Sequence, residues 1–218
     1  MKPLSDYDKI IFDCDGVLLD SNPLKTNAFR EAVISYGEDA AQRLVDYHIH
    51  HGGVSRYEKF RWFFSEVVNL PDVEAATKSA IMEFSYSVKS SLPNCQVAYG
   101  LEFLKSASGP APWYIVSGSD QEELKHFMED ANLSPLFDGG IFGSPDTKHD
   151  IFARLIPNAG GDSQNIYFGD SALDHIVAKE FGCDFVFVSK WSELPSWKDY
   201  VSSNNLYTIP TLMDYLRN

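Results

Sequence analysis

Ile10-Ile11-Phe12 runs directly into Asp13-Cys14-Asp15-Gly16-Val17. Two carboxylates spaced i, i+2 at the end of an apolar strand point to different sides, because strand side chains alternate, so they suit different tasks. One can attack phosphorus while the other supplies a proton, and a hard cation between them would offset their repulsion. Taken alone, the segment also fits two solvated acids in a turn, since short motifs recur by chance.

Three later segments carry side chains that fit the same chemistry. Trp113-Tyr114-Ile115-Val116 leads into Ser117-Gly118-Ser119-Asp120 and a helical pattern. The Ser117 hydroxyl and the unhindered N–H groups of Gly118 and Ser119 would seat phosphate oxygens, although Ser119 or Asp120 could equally be a plain helix cap. Gly143-Ser144-Pro145-Asp146-Thr147-Lys148 puts a lysine at a helix start. A cation there opposes the helix dipole, a placement explained if Lys148 reaches a phosphoryl group and steadies a nucleophilic carboxylate. Ile166-Tyr167-Phe168 ends in Gly169-Asp170-Ser171-Ala172-Leu173-Asp174. Asp170 is expected to complete a magnesium shell with Asp13 and the backbone carbonyl of Asp15, with Asp174 supporting that shell from outside.

The elements that must position these groups are short apolar runs, Lys9–Phe12, Trp113–Val116, Ile166–Phe168 and Phe185–Val188. Helical patterns follow at Gln121–Glu129, His149–Ile156 and Ala172–Phe181, the last stopped by Gly182. Such alternation predicts βαβ units and an open α/β sheet, whose ligands sit beyond the carboxyl ends of the strands. Between the first two strands apolar residues recur instead at helical spacing, in series beginning at Leu24, Tyr57 and Val73. A crossover needs only about a dozen residues. The excess predicts an inserted helical domain over 20–89, with a core formed by 1–19 and 90–218.

The chain carries 31 acidic and 18 basic residues, a formal net charge of −13, which disfavours nucleic acid and anionic membranes as partners. A small anionic substrate remains compatible, because a divalent cation and a few local basic groups reverse the sign within one pocket. Cys14, Cys95 and Cys183 show no metal-ligand or paired spacing, and the N-terminus has no apolar signal segment. A cytoplasmic location is expected; the oligomeric state is not legible.

Together, in this order, the four segments resemble the motifs of the haloacid dehalogenase superfamily: Asp13-Cys14-Asp15-Gly16-Val17 its first, Ser117 its second, Lys148 its third and Gly169-Asp170-Ser171-Ala172-Leu173-Asp174 its fourth. The resemblance implies a Rossmann-like core with an α-helical cap after the first strand, as in phosphoglycolate phosphatases and β-phosphoglucomutases. It implies that Asp13 is a nucleophile forming an aspartyl-phosphate. Asp15 would be the acid for the leaving alcohol and then the base for water. Dehalogenases of this architecture usually lack the second acid, since halide needs no proton, so Asp15 argues for phosphoryl transfer. The expected activity is magnesium-dependent hydrolysis of a small phosphomonoester, a sugar phosphate or similar. A sugar phosphomutase and a non-catalytic phosphate-binding protein are the alternatives.

Within the cap, His51-Gly52-Gly53-Val54-Ser55-Arg56-Tyr57-Glu58 is similar to the specificity loop of β-phosphoglucomutase-like caps. Ser55 and Glu58 suit a capping box, and Arg56 is expected to clamp a distal anion of the substrate. Lys25 stands where this group usually shows histidine; it would bind substrate anions, and it makes mutase chemistry less secure. Lys59, Lys78 and Lys89 lie in no context resembling the Schiff-base lysine of the phosphonatase branch. His48, His50 and His51 are expected in a solvated or substrate-facing loop rather than on zinc. Trp62 is a candidate for the cleft wall.

Overall fold

The structure is a computed structural model that describes residues 2–157 and 163–217. Six strands, β1 (Lys9–Phe12), β2 (Trp113–Asp120), β3 (Gly140–Ser144), β4 (Asn165–Gly169), β5 (Asp184–Val188) and β6 (Tyr207–Ile209), form one parallel sheet in the order β3-β2-β1-β4-β5-β6. The chain builds outward from β1 to β3 and then returns to the other side of β1. The switch point therefore lies at the carboxyl end of β1, where open α/β sheets bind ligands.

Alternation along the strands divides the core between the two faces. Ile10, Phe12, Trp113, Ile115, Ile166 and Phe168 pack on one face, and Ile11, Val116 and Tyr167 on the other. Phe12 stacks on Phe168 with centroids 5.2 Å apart and meets Trp113 at 4.7 Å. Each such fully buried aromatic contributes about 1.5–3 kcal/mol. Pairing Phe12 with Ile115 and Phe168 fixes the register, so that the acids following β1 and β4 emerge side by side.

The insert after β1 contains α1 (Asn22–Val33), α2 (Glu38–His50), α3 (Arg56–Trp62), a π-helical turn (Phe63–Val67) and α4 (Val73–Ser91). Phe29, Phe60 and Phe84 meet at its centre with centroids 4.4–5.9 Å apart. The remaining helices, α5 (Leu101–Ala107), α6 (Gln121–Asp130), α7 (Lys148–Leu155), α8 (Ala172–Glu180) and α9 (Trp197–Ser203), connect and flank the strands. Among the described residues no helix is long and apolar enough to cross a membrane.

Two differences from the sequence reading concern the edges of the sheet. β3 and β6 escape the apolar-run criterion because each is an edge strand with mixed burial. α2 is a third difference. His48 and His50 belong to its last turn rather than to a loop, and the helix is amphipathic through buried Ala41, Leu44 and Val45. Trp62 stacks on Tyr47 at 3.8 Å, away from the cleft wall.

Candidate active site

β1 delivers Asp13 at its carboxyl end, where the Asp13 N–H donates to the Phe168 carbonyl at 2.8 Å and so extends the β1–β4 ladder by one residue. The Asp13 carboxylate is buried. Its Oδ1 accepts from the Cys14 N–H at 2.7 Å, and its Oδ2 lies 2.9 Å from Lys148 Nζ. Lys148 is the first residue of α7, behind a Thr147–Asp150 capping box. Its unfavourable place at the helix start is compensated by Asp13 and by Asp174, whose Oδ1 is 2.5 Å from Nζ. Burial opposes the ammonium, but Asp13 and Asp174 outweigh it and hold Lys148 above its ordinary range.

Asp174 is saturated. Oδ1 accepts from Lys148 and Tyr167, and Oδ2 from the Ser171 hydroxyl and the N–H groups of Asp170 and Ser171. Although burial opposes its charge, Lys148, Tyr167 and Ser171 keep the carboxyl below the usual range. Among the described residues, the Asp170 carboxylate accepts only from the Asn22 amide, 3.0 Å from Oδ2. Burial, then Asp13 and Asp174, push Asp170 well above the usual carboxylate range, and burial together with Asp174 and Asp15 brings Asp13 up to about 7 despite Lys148.

Three carboxylates, with oxygens within 4.8 Å of one another, thus share a single lysine. That donor set fits a hard divalent cation, which would balance the two remaining negative charges. Asp13 and Asp170 have capacity to ligate it, whereas Asp174 is taken up in fixing Lys148 and the Asp170 backbone. Gly16, at φ +78°, keeps this corner open, since a Cβ there would fall 2.1 Å from Asp170 Oδ2.

Asp15 occupies a different network. Its carboxylate accepts from Ser21 Oγ and Lys25 Nζ, both at 2.5 Å, and from Ser119 Oγ at 2.7 Å; Lys25 also donates to Ser119. Burial opposes ionisation, but Lys25, Ser119 and Ser21 together hold Asp15 far below the ordinary range. Among the described residues, the hydrogen-bond partners of this carboxylate are Lys25 and two serines, none of them shared with the three-acid cluster. Lys25 approaches the site as anticipated, yet its charge is spent on Asp15.

A small cleft of about 70 Å³ lies over these groups, with Asp13, Asp15, Lys25, Gly118, Ser119 and Asp170 on its floor side. Ser117 lies behind Ser119 and is buried; its Oγ accepts from the Ser119 N–H at 3.1 Å. From above, the loop at Gly52 and Gly53 descends so far that a Cβ on Gly118 would sit 2.3 Å from the Gly53 carbonyl oxygen. Arg56 lines the cleft but is committed elsewhere: its guanidinium forms a two-point pair with Glu123 of α6, at 2.9 and 2.8 Å, and also bonds Ser85. Tyr57 adds a second bridge, donating to Asp120 at 2.9 Å. The cap is therefore closed on the core.

Sequence reasoning missed four contributors. Ser21 and Asn22 follow directly on the first motif, and their proximity to it was a usable signal. Glu123 carried no signal, being one acid among several on α6. Lys59 stands three residues after Arg56 and one before buried Phe60, so helical spacing alone would have turned it toward the interior.

A parallel α/β sheet with a helical cap closed over a lysine and three convergent aspartates is an arrangement suited to hydrolytic phosphoryl chemistry. The sequence model of haloacid dehalogenase-like hydrolases matches residues 7–182, and the chain belongs to that family. A "Phosphorylated carbohydrates phosphatase" from Thermotoga maritima is 30% identical over 136 residues, 62% of this chain and 60% of the relative's own length. A haloacid dehalogenase-like family hydrolase from Streptococcus pneumoniae superposes with a TM-score of 0.72 at 20% identity, covering 97% of each chain. A HAD hydrolase of family IA, variant 3, from Entamoeba histolytica gives 0.71 at 17% identity, covering 95% of this chain and 94% of that one. At these identities the two structures speak for the fold.

Proposed function

We propose that the protein is a magnesium-dependent phosphomonoesterase that hydrolyses a small phosphorylated metabolite, a sugar phosphate or similar, through a phosphorylated Asp13. The observation that carries this reading is the contrast between two acids only two residues apart: Asp13 paired with Lys148 beside Asp170, and Asp15 paired with Lys25 and two serines.

Asp13 Oδ attacks phosphorus while the ester P–O bond breaks. Lys148 and the Gly118 N–H offset charge on the phosphoryl oxygens. The Asp15–Lys25 pair passes to the leaving oxygen the proton that Lys25 Nζ carries while Asp15 is ionised, leaving the pair one proton short. In the second half, Asp15 takes a proton from water as that water attacks the phosphoryl group, releasing inorganic phosphate and regenerating Asp13. Lys25 favours the ionised form of Asp15, which is the form this second step needs. Asp13 and Asp170 would hold a magnesium ion, which would supply Lewis-acid stabilisation of the phosphoryl group.

The relative from Thermotoga maritima, by its name, acts on phosphorylated carbohydrates, which supports the substrate class. The phosphomutase alternative is not better supported: Lys25 occupies the place where the mutases and many phosphatases of this group usually show histidine, and hydrolysis by water tolerates that change more easily than mutase chemistry does. A phosphate-release screen across sugar, polyol and acid phosphates with magnesium tests the proposal. Release of inorganic phosphate is expected, whereas recovery of an isomeric phosphate with no release would replace hydrolysis by mutase chemistry.

A further inference from the structure

Four cationic side chains are buried in or beneath the cleft, and three have acid partners. Lys148 pairs with Asp13 and Asp174, Lys25 with Asp15, and Arg56 with Glu123. The fourth, Lys59, is 2% exposed and lines the cleft from α3. Among the described residues no carboxylate oxygen lies within 4.0 Å of its Nζ, the distance that bounds an ion pair. It sits over the Phe29 ring, 5.4 Å from the centroid, and lies 2.7 Å from His48 Nδ1.

His48 is no substitute for a carboxylate. Burial, then Lys59 and Lys25, keep its imidazole well below its ordinary range, so the ring is neutral. Accepting from Lys59 at Nδ1 puts the ring proton on Nε2. The remaining N–H groups of Lys59 and the Nε2–H of His48 form a donor-only pair at an apolar wall of Phe29, Phe84 and Ile49. Burying an ammonium without a counter-charge is costly. Burial brings Lys59 down to about 7, with Lys25 and Lys148 acting in the same sense and Asp15 and Glu58 opposing from a distance. Glu193, also in the cleft wall, is bonded to Thr26.

We propose that Lys59 and His48 are a specificity-determining pair that binds an anionic group, a carboxylate, on the alcohol side of the phosphomonoester. The inference rests on the phosphatase reading above and narrows its substrate to small acidic esters. An anionic oxygen against Lys59 supplies the missing counter-charge, while the phosphoryl group occupies the opposite, Asp13 end. Arg56, saturated by Glu123, is not needed for that contact.

The test uses two non-hydrolysable probes, 3-phosphonopropionate and propylphosphonate, which differ in a carboxylate against a methyl terminus. Calorimetry on the full chain with magnesium should show the carboxylate probe binding about 10- to 100-fold more tightly, the range for a hydrogen bond to a charged group. Lys59→Met should erase that preference, and Lys59→Arg should keep part of it. Equal affinities in the wild-type protein, or a preference that survives Lys59→Met, would overturn the assignment. The wild-type comparison stands even if a variant fails to fold. Phosphate release from neutral esters without preference for acidic ones would sink this inference alone, whereas no release from any ester would sink the phosphatase reading.

Discussion

On the floor of the cleft, beyond the ends of β1 and β4, three buried aspartates share one lysine; in the helical roof, one buried lysine has no carboxylate within ion-pair distance among the described residues. Both halves are out of balance, and in opposite senses. The floor lacks positive charge and suits a metal-bound phosphoryl group. The roof lacks negative charge and suits the far end of the same molecule. In the proposed reading, catalysis belongs to strand ends in the sheet and selection to helices packed around Phe29, Phe60 and Phe84.

The contrast can be broken most severely at the floor. Asp13→Asn should lower turnover of an aryl phosphate by at least about 10³-fold with an unchanged circular dichroism spectrum, because the attacking group is removed; retained turnover would reject the mechanism. Asp15→Asn should cost about 10²- to 10⁴-fold on alkyl phosphates and clearly less on aryl phosphates, whose leaving groups need no proton. Comparing kcat/KM for the two ester types checks this. Lys148→Met leaves Asp13 and Asp174 buried without their cation, and urea unfolding should register a loss of about 3–5 kcal/mol. Magnesium should recover part of it.

The roof gives a smaller, pH-dependent signature. The Lys59 amine binds its proton more weakly when folded, at about 7, than its ordinary 10.5. Unfolded chains therefore hold more protons between those values, and stability should rise with pH across that window. Urea midpoints measured from pH 7 to 10 should climb less steeply in Lys59→Met than in the parent. Least of all, Glu123→Gln should raise KM by a few-fold, since the partly exposed carboxylate of the Arg56 pair is screened by solvent. An unaltered KM would show that this bridge does not hold the cap closed.

How much of this was legible in the sequence depended on whether a residue's role was local. The four central strands announced themselves as apolar runs, and Asp13, Lys148, Asp170 and Asp174 stood at strand or helix ends where ligands gather. What could not be read was which charges cancel which. Lys25 and Arg56 were expected to meet substrate anions, but Asp15 and Glu123, 10 and 67 residues away, take their charge. Lys59 entered only as a Schiff-base candidate, and although its spacing pointed it inward, the absence of a counter-charge there among the described residues depended on the packed helices. Edge strands β3 and β6 were missed because edges need little apolar sequence.

The meeting of Gly53 with Gly118 carries a consequence of its own. Cap and core touch there backbone to backbone, with no room for a methyl group on Gly118. A single alanine would act as a wedge, parting the two lobes and admitting bulk solvent to the seam. At this one point of the seam, beside the side-chain bridges of Arg56 and Tyr57, the fit depends on neither lobe contributing a side chain.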